Sequence, residues 1–472
     1  MNRIMNLVSS LSGLQIAVLL LLFIPTAWFI YNFTLHPLAG YPGPLLYRGT
    51  NLGKISQQMQ GNITNKLHEL HQTYGPVVRV APWELSYISA QAWKDIYTAP
   101  KGREIIPLNT IYGQNEKEFF GALSIMWQDT MAEHTRHRRI LSPAFSDKSL
   151  REQEPIIGDL TFGEPFGCLE NSFMHPWIRF IFTNLKGMMY GQIIDTMGSF
   201  GAALKMLIPK SLKTQVQQHA AFSREKVNCR RDKVTQRPDF MAHIIEHVGQ
   251  EGGMTSNELT ANAQLLIMAG SETSATLLAT TCYFLMKNPP IQAKLQQEIR
   301  SAFARESDIT FASVSKLPYT LAVLHEAMRI HPPVPAGIHR FTPRGGIVID
   351  GRFVAGGADV VVHQYAAYNS PSNFKDPERF VPERWMGDER YAGDNRDVFN
   401  PFSIGPRACI GRGLAYMESR LVLARLVWGF DMELMPDSED WIRQKTWILY
   451  EKPPLNAKLS VVRRETTEGQ EK

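Results

Sequence analysis

The sequence predicts a mainly α-helical domain with small β-sheets, preceded by an N-terminal transmembrane helix. Three observations carry this prediction: an uncharged apolar segment near the start, a long capped apolar pattern in the middle, and short β-branched runs between helical patterns. The 472 residues are 44% hydrophobic and 20% charged, which are ordinary values for a globular protein. This composition excludes a disordered or collagen-like chain.

The first of these features is a segment without charge. No Asp, Glu, Lys or Arg occurs between Ile4 and Tyr47, and residues 14–34 have the length of a bilayer-spanning helix. Trp28 and Tyr31 are typical of the membrane interface. A cleaved signal peptide is the alternative, but no clear small-residue cleavage site follows. The basic residues lie mainly after the span, which predicts that the body of the protein is cytosolic.

We therefore predict a linear order of segments along the chain. Residues 1–13 form a short lumenal segment, 14–34 the membrane anchor, 35–47 a proline-rich hinge, 48–463 one folded domain and 464–472 a polar tail. Proline fixes the backbone angle φ, so the hinge is expected to be stiff.

Within the folded domain, hydrophobic patterns predict the elements in order. Strands are expected at 77–80, 85–88, 347–349 and 359–362, and helices at 256–287, 292–303, 314–330 and 413–430. Thr255 and Glu258 form a capping box at the start of the longest helix. Because Glu258 and Glu272 are the only charged residues between Thr255 and Lys287, we expect a buried central helix. A second membrane span is the alternative, which polar residues around Ser271 disfavour.

Charge and cysteine content exclude further classes of protein. The net charge is +5 and basic clusters are short, so no nucleic-acid partner is expected. Cys168, Cys229, Cys282 and Cys409 are far apart and form no CxxC pair. A disulfide framework or a structural zinc site is therefore not expected, and a reducing compartment fits best.

The strongest chemical signal is the segment Phe402-Ser-Ile-Gly-Pro-Arg-Ala-Cys409-Ile-Gly411. Its glycines permit a tight loop around the sulfur, and the next helix begins with positive potential, so we expect a lowered thiol pKa. A thiolate held in this way is a suitable axial ligand for haem iron. A lone cysteine before a helix is more often inert, but the full pattern FxxGxRxCxG is highly specific. In this pattern the chain resembles the cytochrome P450 superfamily.

Two further motifs support the same resemblance. Glu326-Ala-Met-Arg329 places opposite charges at i and i+3 of a helix, and Phe380-Val-Pro-Glu-Arg384-Trp is similar to the meander motif of the family. The pattern ExxR alone is common in proteins and is usually a surface pair. The resemblance implies that Glu326, Arg329 and Arg384 have a structural role and lock the fold around the cysteine loop.

The middle of the central helix matches a third family motif, the oxygen-activation sequence. In Ala269-Gly-Ser-Glu-Thr-Ser274, Gly270 leaves room for a ligand, and Glu272 is a carboxylate that is costly to bury without a partner. The alternative is a Ser/Thr-rich helix that packs against a neighbour. The resemblance implies instead that Glu272 and Thr273 are catalytic and relay protons during dioxygen activation.

The haem propionates require cations, for which the resemblance supplies candidates. His134-Thr-Arg-His-Arg138 matches the family pattern WxxxR, with His134 in place of the usual Trp. Arg138, Arg340 and Arg407 are the expected propionate ligands, although any one of them alone is typical of a solvated surface. A further set, Arg136, Arg139 and Arg412, is expected to form a basic surface for an acidic electron donor.

The resemblance spans about residues 41–462 and indicates the activity. Segments such as His331-Pro-Pro-Val-Pro335 are similar to fungal P450s of secondary metabolism, including trichothecene-type hydroxylases. It implies a single-pass protein of the endoplasmic reticulum membrane with a cytosolic haem domain that oxidises an apolar small molecule of mycotoxin type. The implied cofactor is haem b and the co-substrate O2. The implied partners are membrane lipid, NADPH–cytochrome P450 reductase and, as a second electron donor, cytochrome b5.

One departure from the family pattern stands out. Glu154-Pro-Ile-Ile157 runs directly into Gly158, where family members normally carry some tens of residues. The absence of those residues would leave apolar surface exposed and a packing defect. We therefore hypothesise a gene-model or splicing deletion at 157/158. An inactive haem-binding membrane protein is the alternative function.

Overall fold

The computed structural model describes residues 12–98, 105–146, 149, 185–208, 210–232 and 244–462. Its helices are α1 (Gly13–Thr34), α2 (Leu45–Gly49), α3 (Leu52–Gln60), α4 (Ile63–Tyr74), α5 (Ala90–Tyr97), α6 (Gln114–Phe120), α7 (Met131–Leu141), α8 (Leu185–Asp195), α9 (Gly198–Met206), α10 (Lys210–Asp232), α11 (Ser256–Lys287), α12 (Pro289–Ala302), α13 (Phe311–Val314), α14 (Pro318–Ile330), α15 (Gln364–Tyr368) and α16 (Arg412–Gly429). Its strands are β1 (Val77–Ala81), β2 (Glu84–Tyr87), β3 (Arg340–Phe341), β4 (Ile347–Ile349), β5 (Arg352–Val354), β6 (Asp359–Val362), β7 (Phe430–Leu434), β8 (Lys445–Thr446), β9 (Tyr450–Glu451) and β10 (Ala457–Val461). The predicted deletion at 157/158, Cys168 and the predicted tail 464–472 lie outside the described residues.

Helix α11 confirms the predicted central helix at both ends. The Thr255 side chain accepts a hydrogen bond from the Glu258 amide at 3.2 Å, and the Thr255 amide donates to the Glu258 carboxylate at 2.8 Å. This is the predicted capping box. Buried side chains occur along the whole helix, from Leu259 to Met286. The helix therefore runs through the interior of the domain.

The helix predicted at 314–330 does not begin where expected: 318–330 is α14, whereas Val314 belongs to the separate short helix α13. Helix α13 ends at Val314, and α14 begins at Pro318. Leu317 between them is extended, with φ −95° and ψ 98°, as the residue before a proline prefers. The helix predicted from residue 292 also begins earlier, at Pro289, because proline suits the first turn of a helix.

The predicted strands at 77–80, 85–88, 347–349 and 359–362 are confirmed as β1, β2, β4 and β6. The largest sheet has the strand order β1-β2-β6-β3. Strand β2 pairs with β1 in antiparallel and with β6 in parallel orientation, and β3 pairs antiparallel with β6. Strand β6 is wholly buried. The sheet thereby holds Arg340 of β3 in the interior of the protein.

The N-terminal helix joins the domain at its C-terminal end. The Asn32 side chain donates to the Gly49 carbonyl at 2.9 Å, and Arg79 donates to the Asn32 carbonyl at 2.8 Å. The segment predicted as a hinge also packs against the domain, since Leu38 and Tyr41 are buried. Within the residues that the structure describes, no helix combines the length and the apolar character that crossing a membrane requires.

Two hydrophobic clusters position the elements that carry the motifs. One joins α12, α14 and α16 to the second half of α11, with Leu285, Leu324 and Leu423 fully buried. The other joins the first half of α11 to α7 and includes Ile267 and Leu141, against which Ile410 packs. Because Ile410 follows Cys409, this cluster brings the cysteine loop next to the central helix.

Candidate functional site

The cysteine loop is a tight turn directly before α16. The Cys409 amide donates to the Phe402 carbonyl at 2.8 Å, and the Ala408 amide donates to the Gly405 carbonyl at 3.0 Å. Gly405 has φ +78°, and a Cβ atom there would lie 2.1 Å from the Tyr97 carbonyl oxygen. A side chain at this position would therefore be both strained and obstructed. Gly405 lets the loop reach α5 and fixes the position of the sulfur.

The Cys409 side chain is exposed, yet protein atoms surround it closely enough to desolvate the sulfur. This burial raises the pKa of the Cys409 thiol, although the Gly411 amide and Arg138 both act to lower it. The expectation of a lowered pKa is therefore wrong for the protein chain, because desolvation outweighs the amide and the arginine. A metal cation at the sulfur would supply the missing charge, since a coordinating thiol is deprotonated.

A cluster of arginines lies beside the cysteine loop. Arg138 of α7 donates to the Ala408 carbonyl at 2.7 Å, and Arg407 donates to the Gln128 carbonyl at 2.6 Å. Arg340 is only 1% exposed. Burial, followed by the charge of Arg340, lowers the pKa of Arg407 to about 10. These three predicted propionate ligands therefore lie within electrostatic reach of one another.

Parts of this cluster have no protein partner. Among the described residues, Nε and Nη1 of Arg340 and Nη1 of Arg407 are buried donors that have no hydrogen-bond acceptor within range. A buried donor without a partner costs about 1–3 kcal/mol, so an anion bound here would stabilise the cluster. Haem carries two carboxylates, which fit these free donors, and an iron atom, which fits the exposed sulfur of Cys409. The residues present therefore suit a haem group.

His134 lies in this cluster, where the family pattern has a tryptophan. It is 4% exposed. Desolvation, followed by the charges of Arg407, Arg138 and Arg340, lowers the pKa of His134 to about 4. The imidazole is therefore neutral at physiological pH and adds no further positive charge to the cluster.

The predicted basic surface is smaller than expected. Arg136 forms ion pairs with Glu133 and with Glu258 of the central helix, so its charge is neutralised inside the protein. Its inclusion in the surface was wrong, because the pattern did not reveal its acidic partners. Arg139 and Arg412 are exposed as predicted.

The structure brings Glu326, Arg329 and Arg384 together in a fully buried cluster. Arg329 donates to both carboxylate oxygens of Glu326, at 3.0 and 2.9 Å, and Arg384 donates to the same carboxylate at 3.1 Å. Asp394 binds the other side of Arg384. The Trp385 indole donates to Glu326 at 2.9 Å. Two positive and two negative charges balance in the cluster. The sequence motifs do not predict this balance, because Asp394 lies outside both of them.

Glu272 and Thr273 are neighbours in the chain but have separate partners. Thr273 is half-buried and donates to the Ala269 carbonyl at 2.7 Å, within its own helix. Glu272 is 6% exposed and forms an ion pair with Lys452. Burial raises the pKa of Glu272, and Lys452 partly offsets that effect. The ion pair with Lys452 thus offsets part of the free-energy cost of burying the Glu272 carboxylate.

Lys452 could not be predicted from the sequence. It is a single lysine after strand β9, between Glu451 and Pro453, and no motif includes it. A buried carboxylate at Glu272 predicts a cationic partner. The sequence contains many lysines, however, and no pattern indicates which of them is that partner.

An apolar cluster lies on the hairpin formed by β8 and β9. Met189 and Ile193 of α8 pack there against Trp447 and Leu449. Because Lys452 follows this hairpin and binds Glu272, the hairpin lies close to the middle of the central helix. The site therefore combines an apolar wall with the polar residues of α11.

Comparisons with known proteins agree with this geometry. The family model described as Cytochrome P450 matches residues 154–461. The cytochrome P450 monooxygenase aclL of Aspergillus oryzae is 42% identical to this chain, over 96% of the chain and 99% of the relative. The averantin hydroxylase of Dothistroma septosporum is 38% identical, over 91% of this chain and 88% of the relative.

The alignment with the Aspergillus protein also differs in length from this chain. It extends over 495 residues, whereas the chain has 472. That relative therefore contains residues without a counterpart here. The match nevertheless covers nearly the whole of both proteins, and the cysteine loop, the arginine cluster and the central helix all lie within it. The chain belongs to the cytochrome P450 family, and it is a monooxygenase that uses haem iron and O2.

Proposed function

We propose that the protein is a haem-thiolate monooxygenase that oxidises, and most simply hydroxylates, an apolar small molecule of fungal secondary metabolism. The observation that carries this proposal is the combination of an exposed, loop-held Cys409 sulfur with buried arginine donors that have no partner among the described residues. Electrons come from NADPH through a reductase in this proposal. Exposed Arg139 and Arg412 offer positive charge for such a partner.

The residues of the site have distinct roles in the proposal. Cys409 would ligate the haem iron, and Arg138, Arg340 and Arg407 would bind the propionates, with the neutral His134 beside them. Haem iron with a thiolate ligand supplies the oxygen chemistry, because electron donation from sulfur favours cleavage of the O–O bond. Glu326, Arg329 and Arg384 keep the loop and its surroundings in place.

Glu272 and Thr273 manage protons in the proposed reaction. The Glu272 carboxylate can hold a proton, and the Thr273 hydroxyl on the same helix can donate or accept one. Thr273 is half-buried in the middle of a helix that has buried side chains along its whole length.

We propose an apolar substrate of the terpenoid or polyketide type. The support is the apolar cluster of Met189, Ile193, Trp447 and Leu449 close to the central helix. One relative is named averantin hydroxylase, and on this basis we propose hydroxylation as the reaction.

A reduced, CO-bound absorption spectrum of the purified full chain tests the proposed function. A thiolate-type Soret band is expected at one haem per chain. A protein that takes up no haem, or haem without that band, would exclude the proposal. Haem uptake with the band but no NADPH-dependent oxidation in the presence of a reductase would favour the inactive haem-binding alternative.

We expect Thr273→Ala to uncouple the reaction. Loss of the hydroxyl removes one proton carrier, so H2O2 released per NADPH oxidised should rise several-fold. The matched control is Thr281→Ala, because Thr281 also donates to a carbonyl four residues earlier in α11, at 2.7 Å. If both variants release the same H2O2 as the wild type, Thr273 has no role in proton delivery.

We propose in addition that α1 attaches the enzyme to the endoplasmic reticulum membrane, with the haem domain in the cytosol. Large apolar side chains of α1 are exposed, namely Phe23 (68%), Ile24 (61%), Trp28 (51%) and Ile30 (56%). They follow one another along an uncharged stretch of chain. Burial of such side chains in lipid would remove apolar surface from water.

Deletion of residues 2–26 is expected to abolish binding to phospholipid vesicles in a flotation assay. The deletion leaves Asn32 and its bonds to the domain intact. The control is the double substitution Leu459→Ser and Val461→Ser, which removes exposed apolar side chains far along the chain, on β10. Flotation of the deletion variant at the wild-type level would contradict the proposed anchor.

We also propose that residues are missing at the 157/158 junction. The length of the alignment with the Aspergillus protein supports an internal loss. Sequencing of full-length cDNA is expected to reveal additional codons at this junction. A transcript that matches the present sequence there would reject this proposal.

A further inference from the structure

Lys452, the ion-pair partner of Glu272, lies in a segment whose residues before and after it are both packed against the domain. Tyr450, two residues before Lys452, stacks on His331 with ring centroids 3.9 Å apart. The carbonyl of Pro453, the next residue, accepts a hydrogen bond from the Trp441 indole at 2.8 Å. Two consecutive prolines also restrict the backbone after Lys452. The ammonium group is thus presented to α11 from a rigid segment.

Lys452 contacts two residues on one side of the central helix. It forms an ion pair with Glu272 and donates to the Thr276 hydroxyl at 2.6 Å. Thr276 in turn donates to the Glu272 carbonyl at 2.8 Å. The side chain of Lys452 is 18% exposed and that of Glu272 is 7% exposed. The ammonium group therefore binds the carboxylate from the more solvent-accessible side.

The charged surroundings of Glu272 are simple. Lys452 is the cation that acts on its carboxylate, and Thr276 adds a hydrogen bond. His331 lies near Lys452, but desolvation lowers the pKa of His331 to about 3, so its imidazole is neutral. Removal of Lys452 would leave Glu272 buried without a compensating charge.

We propose that Lys452 is a positioning residue for proton delivery, which favours the ionised form of the Glu272 carboxylate and holds it on the Thr276 side of α11. This inference rests on the proposed function, in which Glu272 and Thr273 manage protons. The ion pair influences the protonation state of Glu272, the neighbour of Thr273. The rigid hairpin fixes the position of Lys452 and thereby that of the Glu272 carboxylate. Lys452 itself does not contact the reacting atoms.

Infrared spectroscopy tests this role without turnover. The carbonyl band of protonated Glu272, identified by its loss in Glu272→Gln, is followed as a function of pH. We expect Lys452→Met to move the midpoint of this band upward by about 1–3 pH units, because an opposite charge is lost. Lys452→Arg should keep the wild-type midpoint. If Lys452→Met does not fold, Lys452→Gln, which retains a polar side chain, takes its place.

A coupling assay with reductase gives the second readout. H2O2 per NADPH is expected to rise several-fold in Lys452→Met and to return towards the wild-type value in Lys452→Arg. Lys287→Met is the matched control, since Lys287 forms an ion pair with Glu439 at the end of the same helix. An unchanged infrared midpoint in Lys452→Met, or a loss of coupling in Lys452→Arg equal to that in Lys452→Met, would overturn the proposal. If the wild type shows no thiolate-type band, the proposed function is wrong. The infrared experiment would still test whether Lys452 controls the protonation of Glu272.

Discussion

Replacement of Cys409 by serine is expected to abolish the thiolate-type Soret band of the reduced, CO-bound protein. A serine hydroxyl is a much weaker ligand, and it cannot donate electron density as a thiolate sulfur does. The tight loop should survive, because its bonds run through the Cys409 amide and the Gly405 carbonyl rather than the side chain. Haem content and the spectrum are measured on the same preparation.

Cys229→Ser is the matched control for this experiment. Cys229 is also a free, exposed cysteine, but it lies on α10. Its substitution should leave the band unchanged. A thiolate-type band that persists in Cys409→Ser and disappears in Cys229→Ser would transfer the ligand assignment to Cys229.

The second large effect is expected from Glu326→Gln, which should lower the free energy of unfolding by about 3–5 kcal/mol. Glutamine keeps the size of the side chain but removes the charge that faces Arg329 and Arg384. Both guanidinium groups would remain fully buried, with Asp394 as the one carboxylate left in the cluster. Urea denaturation followed by circular dichroism measures the loss.

Glu69→Gln is the control, because Glu69 forms an ion pair with Lys66 at the same i, i+3 spacing on an exposed helix face. An exposed pair contributes about 0–1 kcal/mol, so this variant should unfold close to the wild type. If Glu326→Gln is too unstable to purify, Asp394→Asn tests the same cluster through Arg384. A loss below about 1 kcal/mol in both cluster variants would show that the cluster does not stabilise the fold.

Much of the fold follows from local sequence patterns. The central helix has both its ends where Thr255 and Asn288 predicted them, because capping and proline effects act within a few residues. The strands at 77–80 and 359–362 were also predicted, but their parallel and antiparallel partners were not. The parallel pairing of β2 with β6 joins residues far apart in the chain, such as Glu84 and Asp359, for which a local pattern carries no information.

The candidate site shows the same division. Cys409, Arg407 and Glu326 stand in motifs with fixed spacing, so they could be identified from the sequence. Lys452 and Asp394 could not, because each meets its partner only through the folded chain. Arg136 shows the opposite error, since its position predicted an exposed cation whereas Glu258 neutralises it in the structure.

The sequence by itself determined the family, the cysteine loop and the long helix, because each depends on residue types at short spacing. Only the tertiary structure decided which charges are paired and which are free. Glu272 has a cation, while Arg340 retains donors that have no partner among the described residues. The sign of the Cys409 pKa shift was likewise decided there, since desolvation is a property of everything that surrounds the sulfur rather than of the loop that contains it.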